Sequence, residues 1–172
     1  SFYVKYVHLL YGHDTKFSDP LIAMFNDANN GFNITEHVFI PKYPSVFEQL
    51  KLYPNVILDL DKCNFYRKYY KHCNFIISHS SEGGIKEIFT AKKIKKHVVL
   101  RYWGGATVTH LKLDSKNPFV NLNRLIKIMI FKNHYNSYAA IGVANSVDII
   151  DLSPLLPHQK YYRLSYCDAV SS

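Results

Sequence analysis

Short apolar runs alternate with amphipathic stretches along the whole of this sequence, and that alternation constrains the fold more than any other feature. Tyr3–Tyr11, Glu36–Ile40, Val56–Leu58, Phe75–Ser78, His97–Trp103, Tyr138–Val143 and Tyr161–Cys167 are rich in β-branched and aromatic residues. They read as strands, and most lack the polar–apolar alternation of a half-solvated sheet. Between them the apolar period lengthens. Asp19 and Pro20 supply an N-cap and a first-turn proline ahead of Leu21, Ile22, Phe25 and Ala28. Further helices are expected at Pro44–Leu52, Gly84–Lys95, Pro118–Lys132 and from Ser146 to Pro154. Strands apolar on both faces must be covered on both faces. The expectation is therefore an α/β fold: a Rossmann-like three-layer sandwich with a mainly parallel sheet, formed as a single domain over residues 1–172.

In open parallel sheets ligands bind beyond the carboxyl ends of the strands. Here those ends are Tyr11–Lys16, His79–Glu82 and Trp103–Thr107, and three constellations fall on them. His8 with His13, Asp14 and Lys16 gathers imidazole, carboxylate and ammonium after the first strand; a polar loop capped by Asp14 explains the same residues without a ligand. His79, Ser80, Ser81, Glu82, Gly83 and Gly84 lead into a helix, where small residues and free N–H groups favour an anion. Ser81 and Glu82 also suit a plain helix cap. This stretch lacks both the Gly-x-x-x-x-Gly-Lys-Ser/Thr and the Gly-x-Gly-x-x-Gly spacing, which argues against ATP or NAD. Trp103, Gly104 and Gly105 close the fifth strand: a lone tryptophan is either core or, given two glycines, one wall of a crevice.

Charge adds a fourth feature. The chain carries a net charge of +8. Ten lysines and arginines against three acids lie between residues 61 and 101, interleaved with Tyr66, Tyr69 and Tyr70. Such a stretch suits an anionic membrane surface, a single-stranded nucleic acid or merely a solvated face. Cys63, Cys73 and Cys167 have no metal-ligand spacing and read as free thiols in a reducing compartment. No metal site and no cofactor are expected. No apolar run reaches the roughly 18 residues of a spanning helix, and a sequence opening on Ser1 suggests an excised piece of a longer protein.

The order of several short motifs completes the reading. His8, Asp14-Thr15-Lys16-Phe17, His37-Val38-Phe39-Ile40, Ile76-Ile77-Ser78-His79 and the run from Lys93 to Gly105 follow one another as a strand with histidine, an Asp-x-Lys-Phe turn, an aromatic-rich strand, a strand ending in histidine, and a lysine-rich turn before a strand ending Trp-Gly. In that order the chain resembles the amino-terminal half of bacterial glycosyltransferases of the 4-acetamido-4,6-dideoxy-D-galactose transferase family of enterobacterial common antigen synthesis. The family pattern continues Trp-Gly-x-acid, where this chain has Ala106.

The resemblance implies one half of a GT-B fold, the acceptor side, with the donor-binding carboxy-terminal domain absent and the crossing to it near Tyr162–Tyr166. It implies sugar transfer from a nucleotide-sugar donor to a glycan or polyprenyl-linked acceptor, without metal, at the inner face of a cell membrane. The isolated half would be inactive. Candidate catalytic groups are Asp14, His79 and Glu82. Candidate substrate contacts are His8, His13, Lys16, Ser80, Gly83, Gly84, Trp103, Gly104 and Gly105. A basic nucleic-acid-binding module and a non-catalytic small-molecule-binding domain are the alternatives; the absence of a nucleic-acid motif speaks against the former.

Overall fold

Seven strands form a single sheet in the order β3-β2-β1-β4-β5-β6-β7, and every adjacent pair is parallel. The computed structural model describes residues 4–10, 15–16, 18–29, 35–59, 73–79, 98–104 and 107–163. The strands are β1 (Val4–Leu10), β2 (Thr35–Pro41), β3 (Ile57–Leu58), β4 (Phe75–His79), β5 (Val98–Arg101), β6 (Ala140–Val143) and β7 (Tyr161–Arg163). The described helices are α1 (Ser18–Ala28), α2 (Pro44–Gln49), α3 (Pro118–Tyr135) and α4 (Ser146–Leu152), with a 3-10 turn at Thr107–His110. This is the Rossmann-like arrangement that the alternating pattern calls for. The expected helix at 84–95 lies outside the described residues.

The strand register sorts the core into two layers. Val7, Leu9, Val38, Ile40, Ile76, Val98, Leu100 and Ile141 alternate onto one face and pack with Phe131 and Tyr135 of α3 and Leu152 of α4. Leu10 and Phe39 turn to the other face and pack with Leu21 and Ile22 of α1 and Val46 of α2. Both faces are covered, so both sets are apolar, which is why the strands read as continuous apolar runs.

Element ends shift by a few residues for local reasons. The α1 helix begins at Ser18, because the Asp19 N–H donates to the Thr15 carbonyl at 3.0 Å. Asp19 is thus a first-turn residue, not the N-cap, and Pro20 still sits where no intrahelical N–H is needed. Asn29, just past α1, donates from its amide to the carbonyls of Thr35 (3.1 Å) and Asn55 (2.9 Å), tying the helix end to the entries of β2 and β3. The α2 helix stops at Gln49, since Leu50 is extended (φ −73°, ψ 141°). The α3 helix runs three residues beyond Lys132, drawn on by the burial of Phe131, His134 and Tyr135. Its start is as expected, with the Asn117 side chain accepting from the Phe119 N–H at 3.0 Å.

The chain winds outward from β1 through β2 to β3, then returns to place β4 on the other side of β1. The direction of winding reverses between β1 and β4. At such a point the two connections leave the sheet on opposite faces, and a crevice opens beyond the strand ends. Leu10 and His79, paired in register, are the last residues of the two strands there.

Candidate functional site

A row of polar side chains crosses this apolar sheet on the α1 face. His37 pairs in register with Tyr6, His79 with Leu10, and His79 with Arg101 on the next strand. His8 lies two residues from both Tyr6 and Leu10, so the three imidazoles and the guanidinium step diagonally over β2, β1, β4 and β5 on one face.

The imidazoles are joined. His8 Nε2 and His37 Nδ1 are 2.9 Å apart, and His8 Nδ1 and His79 Nε2 are 2.8 Å apart. All three residues are buried. Phe25 of α1 closes over them, its ring 4.6 Å from that of His8 and 4.7 Å from that of His37, while Phe39 stacks on His8 at 4.2 Å. Tyr6 stacks on His37 from the same strand face at 4.9 Å.

These surroundings keep the chain neutral. Burial holds the His8 pKa far below its ordinary value, helped by the neighbouring imidazoles. Burial lowers His37 as well. At His79 burial, and then the Arg101 charge beside it, push the pKa down to about 3. A neutral imidazole has one donor and one acceptor, so two shared hydrogen bonds leave only two polarities for the row. In one, His79 Nε2–H donates to His8, His8 Nε2–H donates to His37, and His79 Nδ1 carries a bare lone pair. In the other every proton is shifted and His79 Nδ1 carries the hydrogen. A cation at the His79 end favours the first, because it faces a lone pair instead of an N–H.

His79 Nδ1 is the open end of the row. It is buried and makes no hydrogen bond, an uncompensated polar atom that costs about 1–3 kcal/mol. It stands at the last residue of β4, at the reversal of winding. The row therefore ends in a buried acceptor nitrogen without a partner at the carboxyl end of β4. The nitrogens that join the imidazoles are committed to one another, and among the described residues no group of three or more His, Cys, Asp or Glu is arranged to hold a metal ion.

A second cluster adjoins it where β5 and β6 end. Arg101 is fully buried, its guanidinium 4.6 Å from the Trp103 ring centre and donating to the Tyr102 carbonyl. Trp103 is 38% exposed, so it is no core residue. Gly104 takes φ +91°, and a Cβ built there would stand 3.6 Å from Asp148 Oδ1. Asp148 lies in the first turn of α4, where Asn145 caps the helix by accepting from the Asp148 N–H at 3.2 Å. Burial raises the Asp148 pKa, and Arg101 draws it part of the way back. A cation, a carboxylate and an indole thus meet at one strand end.

Of the residues singled out from sequence, the structure unites His8, His79, Trp103 and Gly104 at the carboxyl ends of β1, β4 and β5. His8 faces no solvent and reaches the crevice only through His79. Lys16 is exposed just before α1. His13, Asp14, Ser80, Glu82, Gly83, Gly84, Gly105 and Ala106 lie outside the described residues, as do Cys63, Cys167 and most of the basic stretch. Sequence reasoning passed over His37, Asp148 and Phe25 as site residues, and placed Arg101 in the Trp103 constellation without giving it a role. The available signal was a histidine in the middle of each of two apolar strands, where an unpaired polar ring would be expensive.

Comparison with known proteins returns no matching family model and no matching curated protein.

Proposed function

We propose that this chain is the acceptor-binding half of a glycosyltransferase that moves a sugar from a nucleotide-sugar donor to a lipid-linked glycan in cell-surface polysaccharide synthesis. The observation that carries the reading is the unpartnered His79 Nδ1 at the β1–β4 reversal, beside Arg101 and Trp103. A sheet of seven parallel strands is what the acceptor half of a GT-B enzyme requires, and the motif order of the sequence supplies the class of chemistry.

Each group then has a role. Trp103 offers an indole face for a sugar ring. Arg101 is too buried to touch a diphosphate, but its charge in a low-dielectric wall makes the crevice positive and attracts one. His79 Nδ1 accepts a hydrogen bond from the acceptor hydroxyl. As the bond from that oxygen to the anomeric carbon forms and the bond to the nucleotide diphosphate breaks, the hydroxyl proton passes to a carboxylate base, for which Asp14 and then Glu82 are the candidates. With a pKa of about 3, His79 Nδ1 is too weak a base to take the proton at neutral pH and instead orients the hydroxyl by accepting its hydrogen bond. Asp14 and Glu82, carried over from the sequence, remain the candidate bases. The reading goes with a cytoplasmic location, peripheral to the inner face of the cell membrane.

Trp103 is the sole tryptophan of the chain, so its fluorescence reports the site directly. Titration with a short-chain glycosyl polyprenyl-diphosphate should change the emission saturably, and a nucleotide sugar alone should do so weakly. No saturable response to the diphosphate-linked glycan, or a steeper and salt-sensitive response to a single-stranded oligonucleotide, would overturn the proposal.

A further inference from the structure

We propose that α3 lies in the plane of an anionic membrane surface, its outward apolar stripe in the lipid interface and its lysines on the headgroups. The inference stands on the helix itself and not on the glycosyltransferase reading. At 100° per residue, Phe119, Leu122, Ile126, Met129 and Ile130 fall within an arc of about 100°. Phe131 and Tyr135, which seat the helix in the core, lie on the opposite side. The stripe thus points away from the sheet, and it is open: Phe119 is 80% exposed, Met129 60% and Leu122 54%, with Ile126 and Ile130 above 40%.

A surface helix normally turns its polar face outward. Here, among the described residues, the outward side carries an open apolar stripe, the kind of face that marks an interaction site.

The charges specify the occupant. The 18-residue sequence of α3 contains Arg124, Lys127 and Lys132 and no aspartate or glutamate. On the same wheel Lys127 and Lys132 flank the stripe on its two sides, where long side chains can bury their stems and raise their ammonium groups to phosphates. Lys112 and Lys116 are exposed in the approach to the helix. The one acid there, Asp114, faces Arg124 at 3.5 Å. A convex ridge edged with cations fits an anionic bilayer surface better than a protein groove. No helix among the described residues is long and apolar enough to cross a membrane, so α3 lies on the surface.

The test is co-sedimentation of the full chain with vesicles of phosphatidylcholine alone and with one-third phosphatidylglycerol. Binding is expected to the anionic vesicles, weakening as salt rises. Phe119→Asn with Met129→Asn should reduce the partition coefficient at least about tenfold, and Lys127→Gln with Lys132→Gln should remove the preference for anionic lipid. All four side chains are exposed, so circular dichroism should show the fold unchanged. Failure to bind anionic vesicles at low salt overturns the proposal. So does binding that the Asn pair leaves unaltered, which would assign the attraction to other basic residues. A solution dimer that the Asn pair dissociates, without vesicle binding, would assign the stripe to a second copy of the chain. None of these readouts involves sugar transfer, so failure here is distinct from failure of the enzymatic reading.

Discussion

His8 and His79, 71 residues apart in sequence, share a 2.8 Å hydrogen bond between Nδ1 and Nε2 in the interior of the sheet. With the 2.9 Å bond to His37 this makes a polar row inside an otherwise apolar layer, and it governs how the protein responds to pH and to substitution.

Stability should fall as pH drops below about 6.5. An unfolded histidine takes up its proton near that value, whereas folded His79 does so only near 3 and folded His134 near 4. The unfolded chain binds more protons across the interval, so acid favours unfolding. Each of these two groups should cost about 2 kcal/mol between pH 7 and pH 5; His8 and His37, also lowered, add to the loss. Urea denaturation at the two pH values measures it. A midpoint that does not change with pH would show that these imidazoles are not held neutral.

Replacing the middle of the row is expected to be the most damaging single change on this face. His8→Leu leaves His37 Nδ1 and His79 Nε2 buried without their partner, at about 1–3 kcal/mol each. His37→Phe strips only one bond, next to rings that can accept another aromatic, and should cost less. Chemical denaturation of both variants gives the order, and an inverted order would mean that the bonds contribute little.

Gly104→Ala should destabilise by about 1–2 kcal/mol, because φ +91° is disfavoured for a residue with a Cβ. The nearest atom to that Cβ would be Asp148 Oδ1 at 3.6 Å, an ordinary contact. The cost therefore lies in the backbone. The Gly104→Ala and Asp148→Ala pair should be additive in thermal melts, and rescue of one by the other would point to a clash instead.

Arg101→Met should raise the Asp148 pKa further, since the guanidinium is the largest of the influences that restrain it, ahead of the backbone hydrogen bonds at Asn145 and Ala144, and should raise that of His79, since the same charge adds to burial in depressing it. It also removes the cation from the face of the Trp103 ring. Carboxyl and imidazole titrations followed by NMR, with the tryptophan emission, check all three. Unmoved titrations would place the Arg101 charge out of range of both groups.

Asn145→Ala should cost about 1 kcal/mol through the loss of the α4 cap. Because the cap bond ends on the Asp148 N–H, the same change should loosen Asp148. Amide exchange should rise at residues 146–149 more than in α3.

The sequence by itself determined the layered fold. Period and composition are local properties, and a doubly apolar run such as Val38–Phe39–Ile40 has few ways to be buried other than inside a covered parallel sheet. It also marked the end of β4, where His79 interrupts an apolar run, and placed the end of β5 two residues late, at Trp103 instead of Arg101. Helix ends were legible to within a few residues: Pro118 announced the start of α3, while the burial of Phe131 and Tyr135 extended its end. Tertiary structure alone decided the rest. Strand order and register are relations between distant segments, and a slip of one residue would turn His37 to the opposite face from His8. Only in this register does His37 reach His8, does Arg101 lie beside His79, and does Asp148, 44 residues beyond Gly104, come against it. The outward direction of the α3 stripe was equally hidden. Its helical period shows in the sequence, but which side of the helix meets the core is fixed by what Phe131 and Tyr135 pack against.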